Sequence, residues 1–200
     1  MSLCIEFRTL PRRAPPCSRN SGAIAGLTVA LALVILAASV LAGTDPSGKL
    51  ELKSTAFRAG GTIPAQFTCS GGNTSPALTW NDPPARTQSF ALIVDDPDAP
   101  AGTWVHWLVY NLPASARKLP ERVPQGDSIA GGGNQGENDF PQTGYGGPCP
   151  PPGRPHRYFF RLYALDAVLQ LRAPVHRADL DSAMKGHVLG QAELMARFGR

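Results

Sequence analysis

Basic charge is scarce where a nucleic-acid surface would need it. The 200 residues carry 19 Lys and Arg against 15 Asp and Glu. Most of the surplus sits in the first 42 residues, where Arg8, Arg12, Arg13 and Arg19 face a single Glu6. The rest of the chain has 15 basic and 14 acidic residues, which excludes a broad cationic face for phosphate backbones, so no nucleic-acid partner is expected. Catalytic signatures are missing too: there is no Gly-x-Ser-x-Gly elbow, no Walker loop and no dinucleotide fingerprint, hence no expected cofactor. Of the four histidines, His106 and His156 are 49 intervening residues apart with no third ligand in register, so no metal site is expected. No internal repeat is visible. What the chain has in quantity is 21 Gly and 20 Pro, about a fifth of its length, favouring short strands and turns over a helical bundle.

Residues 22–42 run without a charge behind the basic stretch and end in Val40-Leu41-Ala42. The run reads as a secretory signal peptide cut after Ala42, with an uncleaved membrane anchor as the alternative. In either case the following domain lies outside the cytoplasm, exported to a periplasmic or extracellular space or held there by the N-terminal segment. The absence of Cys near the end of the run argues against lipoprotein processing. Residues 43–49 form a polar linker and 50–200 a single domain.

Within that domain, 50–57 reads as a first strand, 62–68 as a short strand interrupted by Pro64, and 77–80 as a brief strand. The apolar run 89–94 is the clearest buried strand, and it delivers Asp95-Asp96-Pro97-Asp98. Residues 103–112 form the next, with Trp104, His106, Leu108 and Tyr110 expected on one face. Residues 113–141 form a long loop whose glycines are candidates for a flap. Asp179 is a candidate helix N-cap, and 188–198 reads as a second helix with Val188, Ala192, Met195 and Phe198 on one face. His176 and His187 are surface or packing residues of this tail.

The stretch 144–166 organises the rest. Five prolines and the glycines before them make a stiff loop with backbone exposed at Gly146 and Gly147. A strand follows, in which Tyr158, Phe160, Leu162 and Ala164 alternate with Arg157, Phe159, Arg161 and Tyr163. His156 and Tyr158 share a face at its mouth. Read alone, the aspartates are an ordinary tight turn and His106 a core residue. Cys69 and Cys149, the two cysteines beyond residue 42, are either a disulfide formed in an oxidising compartment or two partly buried thiols.

Four motifs together carry a resemblance: Ser75-Pro76-Ala77-Leu78-Thr79-Trp80; Asp96-Pro97-Asp98-Ala99-Pro100; Trp104-Val105-His106-Trp107 with Asn111-Leu112-Pro113; and Gly144 to Pro148 continuing to His156-Arg157-Tyr158. In this order the sequence resembles the phosphatidylethanolamine-binding proteins, also called Raf-kinase-inhibitor-like proteins, and most of all their bacterial and archaeal branch, over about residues 50–198. The resemblance implies a mainly β fold, a central antiparallel sheet packed on a smaller one with peripheral and C-terminal helices. It also implies a small anion pocket at the strand ends for a phosphate-bearing or carboxylate ligand. Matched to it are Asp96 and Asp98, His106, His156 and Tyr158, and Gly147 and Pro148, whose wall offers backbone amides. Physically such a pocket needs donors: imidazole N–H, phenol O–H and amides, with Asp96 orienting a histidine. Without Arg or Lys among these residues, binding should strengthen at acid pH. The expected function is non-catalytic binding with a regulatory role. The alternatives are a surface-acting inhibitor of a protease or envelope protein, and a hydrolase using Asp96 and His106 as an acid–base pair. The export segment separates this chain from cytosolic kinase-binding relatives. A homodimer is one assembly that the resemblance allows.

Overall fold

The computed structural model describes residues 49–200. The expected export segment 1–42 and all of the expected linker but Lys49 lie outside the described residues. Eight strands form two antiparallel sheets. The small sheet has the order β1 (Leu52–Ser54), β2 (Leu78–Trp80), β5 (Lys118–Leu119). The large sheet has the order β6 (Asn134–Gln135), β4 (Trp104–Pro113), β3 (Ser89–Asp96), β7 (His156–Leu165), β8 (Val188–Phe198). Among the described residues the one α-helix, α1 (Arg177–Met184), packs on the far face of the large sheet, where Leu180 and Met184 join Ala91, Ile93, Leu108 and Tyr110. The architecture is the mainly β one expected from the sequence.

β3 is central because it can be: all eight of its residues are buried, and a continuous apolar run suits a strand covered on both faces. Its even-numbered residues Phe90, Leu92 and Val94 meet Phe160, Leu162 and Ala164 of β7 in the core between the sheets, together with Leu52, Leu78 and Leu119 of the small sheet. The odd-numbered Ala91 and Ile93 face α1.

The β3–β4 ladder is regular except at two slips. Val94 pairs with Trp107 but Asp95 pairs with Val105, so His106 is an extra residue in β4. The second slip lies between Phe90 and Leu92, beside Asn111, whose φ is 56°. A bulge lets adjacent residues share a side. Trp107 and Val109 therefore face the inter-sheet core, whereas Val105, Leu108 and Tyr110 face α1. This corrects the expected single face of Trp104, His106, Leu108 and Tyr110. His106 packs edge-on to Tyr158 in the inter-sheet core, while Leu108 and Tyr110 turn the other way.

Three further expectations change. Residues 188–198 form a strand, not a helix: β8 pairs with β7 along its whole length. Ala192, Leu194, Ala196 and Phe198 are buried, while Gln191, Glu193 and Arg197 are exposed, a period of two. Residues 62–68 hold a single 3-10 turn, Ala65–Phe67, after Pro64. At α1 the N-cap is His176. Asp179 stands three residues on and accepts the His176 backbone N–H at 2.9 Å.

Candidate functional site

A cavity of about 200 Å³ opens at one end of β3, β4 and β7. Asp96, His106 and His156 line it, walled by Trp104, Phe140 and Pro150. Each imidazole has one nitrogen engaged. His106 Nδ1 lies 2.6 Å from the Gly146 carbonyl, so Nδ1 carries the proton and donates it. The Gly146 N–H returns a bond to the His106 carbonyl at 2.8 Å. The bulge that moves His106 out of register is thus pinned through both side chain and backbone. His156 Nδ1 lies 2.8 Å from Asp96 Oδ2, in a pair that is almost fully buried. Asp96 also accepts the Asp98 N–H at 2.8 Å. Asp96 therefore orients His156 and not His106, and the Asp96–His106 acid–base pair expected as an alternative does not form.

Burial pushes the His106 pKa down, against the opposing pull of the Gly146 carbonyl and of Asp96, Asp139 and Asp95. In the neutral ring Nδ1–H serves Gly146 and Nε2 is left with a lone pair. Protonation of Nε2 turns that acceptor into a donor.

The three aspartates that read as one cluster serve three different partners. Asp95 points to the opposite face of the sheet and is clamped by Arg161 at 2.5 Å and Arg177 at 2.8 Å. Asp96 faces the cavity. Asp98 leaves it: its carboxylate takes two bonds from the Arg157 guanidinium and one from the Arg157 backbone N–H. That guanidinium holds the Asp98 carboxyl well below the usual carboxylate range. Asp98 thus fastens the Asp loop to β7 and does not line the cavity.

The expected amide wall is also different. The Gly147 N–H donates to Asn73 Oδ1 at 2.7 Å, and the Pro148 carbonyl accepts the Cys69 N–H at 3.1 Å. With Gly146 serving His106, none of these backbone groups is turned to an anion. They instead bind the loop 144–152 to the loop after the 3-10 turn, and Cys69 and Cys149 close that junction as a disulfide with Cα atoms 5.4 Å apart. Gly147→Ala is expected to destabilise the fold by about 1–3 kcal/mol. A Cβ there would stand 2.5 Å from the Phe67 carbonyl oxygen and 2.6 Å from Asn73 Oδ1. Urea unfolding checks this; an unchanged midpoint would mean that the two loops part at no cost.

Tyr158 is fully buried beneath the cavity, edge-on to His106 with ring centroids 5.2 Å apart. Its hydroxyl has no hydrogen-bond partner among the described residues. Burial and the nearby Asp96 carboxylate push its pKa up, so it stays protonated. The Trp104 indole N–H, on a residue lining the cavity, is likewise buried without a partner.

The long loop 113–141 does reach the site, but not through its glycines. Gly132 and Gly133 pack on Pro113 and Leu112, at the far end of β4 from His106. The loop contributes Phe140, edge-on to both Trp104 and His106. Phe140 was not among the expected residues, yet it is the only aromatic side chain between 113 and 141. A larger groove of about 960 Å³ runs along β1 and β8, with Lys49, Glu51, Lys53, Arg58 and Glu193 on its walls. Its charges are mixed, and it has neither histidine nor cysteine. Among the described residues no group of three His, Cys, Asp or Glu side chains could hold a metal ion.

Comparison with known proteins agrees with this fold. Residues 53–199 match the family model described as phosphatidylethanolamine-binding protein. The chain belongs to that family. Among its phosphatidylethanolamine-binding protein relatives is a UPF0098 protein of Methanothermobacter thermautotrophicus, 48% identical over 151 residues, which cover 76% of this chain and 99% of that protein. A UPF0098 protein of Aquifex aeolicus is 44% identical over 76% of this chain and 89% of its own length. Two solved structures superpose on the chain. One is a phosphatidylethanolamine-binding protein homologue from Chlamydia trachomatis, with TM-score 0.71 and 40% identity, covering 77% of this chain and 99% of that one. The other is Escherichia coli YbcL, described as a member of the mammalian phosphatidylethanolamine-binding family, with TM-score 0.70 and 33% identity over 76% and 99%.

Proposed function

We propose that the chain is a non-catalytic binding protein whose cavity takes one small anion, a phosphate or carboxylate group free or borne on a head group. We further propose that occupancy has a regulatory role. The observation that carries this is the pair of imidazoles: His106 and His156 line one small cavity, each with Nδ1 engaged, by Gly146 and by Asp96. The Nε2 nitrogens are then the donors for an anion, once protonated. The unpartnered Trp104 N–H supports the reading as a further donor. Catalysis finds less support, since the thiol that could serve as nucleophile in the cavity wall is bonded to Cys69. The same disulfide supports export to an oxidising compartment.

The pH dependence has a defined sign. The folded-state pKa of His106 lies below its unfolded value of about 6.5. The unfolded chain therefore binds more protons below that pH, and the empty protein loses stability as pH falls through this window. An anion that binds the protonated ring offsets the loss. Sulfate keeps its charge across this range and is the probe. The thermal shift it causes should be larger at pH 5.5 than at pH 7.5, and His106→Asn should remove most of that difference. A sulfate affinity flat from pH 5 to 8 would remove the imidazolium from this reading.

A further inference from the structure

The disulfide is part of the cavity. Cys149 lines it together with Pro150, Pro151 and the two histidines. Cys149 is half-buried, whereas Cys69 is exposed. The bond therefore joins an exposed residue to one that lines the anion site. We propose that Cys69–Cys149 is a thiol–disulfide exchange site that controls ligand binding, with a dithiol as the reductant that acts on it. The proposal rests on the anion reading of the cavity and adds its regulation.

The chemistry is directional. A thiolate of the external dithiol attacks Sγ of the exposed Cys69, the Cys69–Cys149 bond breaks, and the electron pair leaves on Cys149 Sγ. The second thiol of the dithiol then attacks the mixed disulfide and releases Cys69. Two electrons and two protons pass to the protein, and the dithiol departs as its own disulfide. Exchange depends on access to the attacked sulfur, which favours Cys69.

The effect on the site follows from position. In the reduced chain Cys149 offers the cavity a free thiol, and its thiolate form places a negative charge where the anion would sit. Such a thiolate competes with the anion for the same two imidazoles. The wall also loses its covalent tie. Pro150 remains held by Arg200 Nε at 2.6 Å and Pro148 by the Cys69 N–H at 3.1 Å, so the loop loosens without detaching. No carboxylate faces the disulfide from within the cavity except Asp96, which is engaged by His156. The imidazoles are thus the groups that a released thiolate would meet.

The experiment is an isothermal titration of the full chain with inorganic phosphate, oxidised and after treatment with dithiothreitol, with free thiols counted in each sample. The reduced chain is expected to bind at least about tenfold more weakly, with full recovery on reoxidation. Cys149→Ser removes both the disulfide and the thiol from the cavity, whereas Cys69→Ser leaves the thiol. Cys69→Ser should bind more weakly than Cys149→Ser. Equal affinity of the oxidised and fully reduced chains would overturn the proposal. A second measurement does not need phosphate: the fluorescence of cavity-lining Trp104, taken as the difference between the chain and Trp104→Phe, should change on reduction. If oxidised chain binds no phosphate, the anion reading fails by itself. An unchanged Trp104 signal with both thiols free then overturns the coupling independently.

Discussion

Combining His106→Asn with His156→Asn is expected to weaken phosphate binding at least about 100-fold while the fold survives. The Asn amide N–H stands near the place of the imidazole Nδ1–H, so each substitution can keep its anchoring bond, to the Gly146 carbonyl in one case and to Asp96 Oδ2 in the other. What is lost is Nε2 of each ring. A hydrogen bond to a charged group contributes about 1.5–3 kcal/mol, so two of them correspond to the stated loss in affinity. Each single variant should account for roughly half of the free energy if the rings act independently, and less than half if one ring can hold the anion alone. Calorimetric titration with phosphate at pH 6 measures all three variants. Undiminished binding in the double variant would move the anion site out of this cavity altogether.

Trp107→Ala is expected to lower the melting temperature by about 6–20 °C. Trp107 is fully buried between the sheets, edge-on to Tyr145, and its indole N–H donates to Gln135 Oε1 at 2.8 Å. Truncating a buried Trp costs about 3–5 kcal/mol, a large share of the 5–15 kcal/mol that holds a typical domain, and each kcal/mol moves the midpoint of a domain this size by about 2–4 °C. The damage should also spread. Gln135 uses its amide to bind the Pro124 and Gly126 carbonyls, so freeing its oxygen loosens the loop beside β6. Trp107 also follows His106 directly in the bulge, so phosphate affinity should fall with stability. Trp107→Phe keeps most of the volume and separates the hydrogen bond from the packing. A melting temperature within a degree or two of wild type for Trp107→Ala would show that the inter-sheet core repacks far more readily than its burial implies.

The parts of this molecule that were legible in the sequence are those where burial and local pattern agree. β3 is an apolar run and is buried on both faces; β7 alternates, and its alternate residues divide between core and exterior. β8 was misread because Ala192, Glu193, Leu194, Met195 and Ala196 are helix formers whose spacing also fits a helical face. Its state is decided by β7, whose long hydrogen-bonding edge takes up Val188–Phe198, and strand preference yields to such pairing. At the site, His106, His156 and Asp96 could be named from motif and strand position. The partner of Asp96 could not, because the slip brings His106 to the side of the sheet where His156 also stands, and only the folded geometry puts the His156 ring against the carboxylate. The capture of the Gly147 amide by Asn73 depends on two loops 74 residues apart, and the pairing of the cysteines depends on the same junction. Nothing local in the chain encodes either. Phe140 left a faint trace, as a lone aromatic in a polar stretch.

The bulge in β4 makes the site a matter of counting as much as of chemistry. Were the ladder continued without the slip, His106 would stand opposite Asp95. Its ring would then turn toward the acid that Arg161 and Arg177 already neutralise, on the side of the sheet that faces α1. The extra residue takes the imidazole through the sheet to the side of Asp96. Changes of length should therefore be unequally tolerated along this edge. Residues 101–103 are exposed and outside the cavity lining, so a residue gained there should have little consequence for the rings. A single deletion within 104–107 would remove at most one functional side chain and still dissolve the cavity's chemistry.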